Sequence, residues 1–130
     1  GNLAEYIRSR DLYARSVEND KRDLAAADLA ARTLAEIDDA DVRAAWPVLV
    51  AVLEEGALTG GEGVRALATT LATGGGRQLA EEVAIEVSDE SPERVVLYHM
   101  RFVPPTVECP RDVLVTALRR LADALEAPPP

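Results

Sequence analysis

The sequence predicts an α+β fold that is mainly α: a long N-terminal helix, two to three further helices and one β-hairpin. Three observations lead to it. Residues 3–37 contain no Gly or Pro, and apolar side chains recur there three and four apart. From Val83 the apolar period changes to two, the spacing of a half-buried strand. The chain closes on Leu114, Leu118, Leu121 and Leu125, again at helical spacing.

The first helix is predicted as one piece from Leu3 to Ile37, although "SVENDK" invites a break near Asn19. Leu3, Tyr6, Arg10, Tyr13, Val17, Asp20, Leu24, Ala27, Ala31 and Leu34 follow a heptad spacing. The opposite side carries Glu5, Arg8, Asp11, Arg15, Glu18 and Arg22, with signs alternating at i+3 and i+4; each such pair contributes only ~0.2–0.5 kcal/mol. A helix of this length spans ~50 Å at ~1.5 Å per residue. A domain of this size is only roughly 35 Å across. Part of the helix is therefore expected to project and to bury its stripe against something else. Tyr6, Arg10, Tyr13, Val17, Asp20 and Leu24 form the candidate interface. Antiparallel pairing of two copies about Arg15 would set Tyr6 against Leu24, Tyr13 against Val17 and Arg10 against Asp20. A parallel pair would oppose Arg10 to Arg10.

"EIDDAD" ends this helix, and Asp39 or Asp41 is the expected N-cap of the next. Pro47 predicts a kink or restart near Trp46. Val48–Leu53 is apolar on every side, which marks a helix buried all round, and Gly56 closes it. In "LTGGEGVRALATTLATGGG", Thr59 and Glu62 predict a capping box, and Val64, Leu67 and Leu71 a buried stripe. Gly61, Gly63 and Ala66 fit a degenerate phosphate-loop spacing, but no Lys-Ser/Thr follows and no strand abuts the first glycine.

Val83, Ile85 and Val87 then alternate with Glu82, Ala84 and Glu86 as the first strand of the hairpin. "SDESPE" is its turn and "RVVLYHMRFV" its second strand. On that strand Met100 and Phe102 are expected on the core face, with His99 and Arg101 on the polar side. Pro104-Pro105 turns the chain, and the last helix is expected from about Pro110 to Glu126. Residues 1–127 read as one α-rich domain, and 128–130 as the start of a Pro-rich tail or linker.

The only His, Met, Phe and Cys of the chain fall between His99 and Cys109, the one stretch that suggests chemistry. A thiol before a helix could be activated by the helix dipole with His99 as base. Pro110 supplies no N–H to the sulfur, however, Glu108 opposes the anion, and no third orienting group is apparent. One His and one Cys do not make a zinc site, and "DDAD" lacks the ligand alternation of a calcium loop. No catalytic constellation and no cofactor is expected. A net charge of -9 argues against nucleic acid as partner. The apolar run "WPVLVAVL" is too short to cross a bilayer, so no membrane role is expected. A cytoplasmic setting follows, and basic residues that are nearly all Arg suggest a GC-rich bacterial genome. The expected function is non-catalytic protein–protein association or homodimerisation, as a free chain or within a larger protein. Two other readings compete: a small acidic inhibitor, chaperone or immunity-type protein for a basic partner, and a small enzyme using the His99 region.

Overall fold

In the computed structural model, which describes residues 2–127, helix α1 runs unbroken from Asn2 to Thr33. The "SVENDK" stretch does not interrupt it. It ends four residues before Ile37, and near that end the Ala30 carbonyl accepts from the Trp46 indole N–H at 2.7 Å. Thr33 Oγ1 donates to the Ala30 carbonyl at 2.8 Å. A 3-10 turn, Leu34–Glu36, follows. Arg43 Nη1 donates to the carbonyls of Leu34 and Ile37 at 2.7 and 3.0 Å.

Helix α2, Ala40–Glu54, begins at Asp39, whose Oδ1 accepts from the N–H groups of Asp41 and Val42 at 2.9 Å each. Asp39, not Asp41, is the cap. The helix continues through Pro47 instead of restarting near Trp46. Packing holds it there: Val42, Ala45, Trp46, Val48, Leu49, Val52 and Leu53 are all buried, making α2 the centre of the core.

Helix α3, Gly60–Ala72, lacks the predicted capping box, since Thr59 makes no side-chain cap bond. Gly60, its first residue, has φ +62°, which turns the backbone out of the geometry such a box requires. Val64, Leu67, Ala68 and Leu71 are buried. Helix α4, Arg111–Glu126, packs on α3, with Leu114, Leu118 and Leu121 buried between them and the rest of the core. Its start is one residue later than predicted, with Pro110 as the cap position. Gly61 explains the glycine-rich motif without a phosphate: a Cβ there would lie 2.8 Å from the Ala122 carbonyl oxygen, so the glycine allows α4 to approach. Beside it Arg65 pairs with Asp123 and Glu126 at 2.7 Å each, and both carboxylates raise its pKa.

The hairpin proves to be the middle of a four-stranded antiparallel meander, β1 Gly76–Ala80, β2 Val83–Val87, β3 Arg94–His99 and β4 Thr106–Pro110, in that spatial order. The added edges supply what two strands alone lack. Register decides the inner face. Val83, Ile85 and Val87 stand opposite His99, Leu97 and Val95, and residues directly opposite share a face. Val95, Leu97 and His99 are accordingly buried against the helices, while Tyr98 and Met100 are 39% and 48% exposed. This reverses the predicted orientation of "RVVLYHMRFV". The strand also ends at His99; Phe102 N–H turns back to the His99 carbonyl at 3.0 Å, so Met100 and Phe102 lie in a turn, from which Phe102 still packs against the core as expected while Met100 does not. The Pro-rich tail read at 128–130 lies outside the described residues.

Candidate functional site

Among the described residues, nothing covers the first half of α1. Every residue from Asn2 to Arg15 is exposed, and α1 buries only Asp23, Ala26, Ala27 and Ala30. These small side chains at i, i+3, i+4 and i+7 form a narrow face that seats the C-terminal half of the helix on α2. The heptad positions from Tyr6 to Leu24 lie elsewhere: at ~100° per residue, Leu24 is roughly a third of a turn from Ala30, and only Ala27, the next heptad position, joins the buried face. Tyr6, Tyr13 and Leu24 are 60%, 74% and 54% exposed; Arg10 and Asp20 are exposed, and Val17 is half-buried. The six sequence-predicted interface residues therefore share one stripe, five of them exposed and Val17 half-buried. Arg10 is held along it, its guanidinium 5.9 Å from the Tyr6 ring centroid, an exposed cation–π contact of ~0.5–1 kcal/mol.

Ile7 and Leu12 are also exposed and were not in the predicted seam. Leu12 is eleven residues, about three turns, before Asp23, and so continues the domain-facing side of α1 beyond the domain's edge. That signal is present in the sequence only once the root of the helix is known. At that root Asp23 carries a buried Oδ1 with no hydrogen-bond partner.

His99 sits in a different place and a different chemistry. Its Nδ1 accepts from the Arg101 N–H at 3.2 Å, which assigns the ring proton to Nε2. Nε2 donates to the Glu55 carboxylate, 3.1 Å from Oε1 and 3.3 Å from Oε2. The Arg101 guanidinium pairs with the same carboxylate. The Phe102 ring centroid lies 4.9 Å from that of His99. Both ring nitrogens are thus engaged: Nε2 ties the end of α2 to the turn after β3, Nδ1 closes that turn, and the ring is buried beside a small cavity lined by Glu54, Glu55 and Phe102.

Cys109 is not brought to His99. It pairs with Val95, four residues before His99, which places it ~13 Å away at ~3.3 Å per residue. The thiol is fully buried, and burial pushes its pKa up to about 12. A protonated, enclosed thiol is a poor nucleophile. Among the described residues no group of three or more His, Cys, Asp or Glu side chains could hold a metal ion, and no helix is long and apolar enough to cross a membrane. Neither family models nor curated proteins nor solved structures match this chain.

Proposed function

We propose that this chain is a non-catalytic association module that pairs with a second copy of itself through α1. The observation that carries the reading is the exposed helix from Asn2 to Arg15, with Leu3, Tyr6, Ile7, Leu12 and Tyr13 in solvent. Helices shorter than ~12–15 residues are marginal in water by themselves, and most helical stability comes from packing an apolar face. A partner surface supplies that packing. Antiparallel pairing about Arg15 matches Tyr6 with Leu24, Tyr13 with Val17 and Arg10 with Asp20, so the two polar residues of the seam neutralise each other. The net charge of -9 makes protein a better partner than nucleic acid. A bacterial cytoplasm is part of the same proposal, supported by a single Cys and by basic residues among which Lys21 is the only Lys.

A charge-reversal cycle tests the pairing and its direction. Arg10→Asp opposes two acids across the seam and should weaken the dimer; Asp20→Arg added to it should restore association. Both positions are exposed, so folding is not at stake. Sedimentation equilibrium reads the outcome. Equal weakening in the single and double variants would exclude the antiparallel arrangement.

A further inference from the structure

On the side of the domain where α1 hands over to α2, a groove of about 760 Å³ opens between that corner and α4. Its floor is apolar, formed by Leu29 of α1, Ile37, the Trp46 indole and Leu121 of α4. Along α4 it extends from Asp112 through Thr116 and Ala117 to Ala124, a distance of ~18 Å at ~1.5 Å per residue. The groove is therefore elongated, about three helical turns in length. Small side chains at Thr116, Ala117 and Ala124 let another backbone come close, as helix contacts at 8–10 Å require.

The mouth is acidic. Glu36, Asp38 and Asp112 border it, and among the described residues none of the three has an ion-pair partner. Asp39 also borders it but caps α2. Arg120 is the one cation in the lining, while Arg43 nearby is engaged by the carbonyls of Leu34 and Ile37. An apolar floor with uncompensated carboxylates at its rim selects a ligand apolar on one face and cationic at its flanks.

We infer that this groove docks a basic amphipathic helix of another protein. Length, floor and rim charge all fit that occupant. The chain's own α1 fits less well, because Glu5 and Asp11 interleave with Arg8 and Arg10 and would meet the acidic rim. The inference is independent of pairing through α1, which uses a different surface.

Trp46 is the only Trp of the chain and forms part of the groove floor, so its emission reports occupancy. The probe is a Trp-free amphipathic peptide of ~14 residues, about four turns, with Leu on one face and Lys on its flanks. A counterpart with Glu in place of Lys is the control. The Lys peptide should change Trp46 emission saturably and the Glu peptide should not. Glu36→Lys with Asp38→Lys, both at exposed positions, should weaken binding by roughly tenfold or more. Ala117→Phe should block binding by filling the groove and leave the solution mass of the chain unaltered; should it impair folding, the rim variant decides. No response to the Lys peptide, equal responses to both peptides, or undiminished binding in the rim variant would overturn the inference. A change of oligomeric state in folded Ala117→Phe would overturn it too, assigning the groove to a second copy.

Discussion

The Trp46 indole N–H donates to the Ala30 carbonyl at 2.7 Å, locking α2 to α1 at the point where α1 enters the core. Ala30 is fully buried and Trp46 is 1% exposed. Because α1 is fixed here, near its C-terminal end, its N-terminal half is directed away from the domain. Trp46→Phe removes this bond and some core volume. A loss of about 2 kcal/mol is expected, measured as a shift of the urea midpoint at unchanged slope.

Asp23 is the weak point of the same junction. A buried carboxylate oxygen without a partner costs ~1–3 kcal/mol, and Asp is a poorer helix former than Ala. Asp23→Ala should therefore stabilise the isolated chain by about 1 kcal/mol, extending the Ala face of Ala26, Ala27 and Ala30. Thermal unfolding of the two proteins at equal concentration checks this. A destabilised variant would mean that the carboxylate has a partner after all.

Cys109 should be inert to thiol reagents at neutral pH in the folded protein and should react on unfolding. A stability consequence follows from the sign of its shift. Its pKa in the fold is about 12, above the ordinary value of 9.0, so the folded state favours the protonated thiol. The associated stabilisation is complete below pH 9.0 and is lost as pH rises from there toward about 12. Cys109→Ala should flatten the alkaline limb of the stability profile in that window. Fast labelling of the folded protein that slows in His99→Ala would instead revive a Cys–His pair.

The parts of the fold legible in the sequence are those with local causes. Helix α1 is visible because nothing in residues 3–33 breaks it, and the centrality of α2 because Val48–Leu53 has no polar face. The edge strands carry no such signal. "GRQLA" has only Leu79 even half-buried, and "TVECP" ends in Pro, which an edge strand tolerates. The alternation within β3 leaves open which of its two faces points inward; that face is set by pairing with β2, which puts Val95, Leu97 and His99 opposite Val87, Ile85 and Val83. The burial of His99 depends on Glu55, 44 residues away in the chain. The heptad stripe on α1 was legible in the sequence, and the helix length already pointed to a projecting part; which part projects was not legible, since that depends on where Trp46 seizes the helix. The groove beside α4 has no local signature, being made by the meeting of α1, α2 and α4.

If the exposed half of α1 pairs two copies, the solution mass of the unmodified chain depends on concentration. Sedimentation equilibrium at tens of micromolar, with dilution from there, should show twice the mass of the chain at the upper end and dissociation on dilution. A mass equal to one chain across the whole range, with α1 still helical by circular dichroism, would contradict self-pairing through Tyr6, Tyr13 and Leu24.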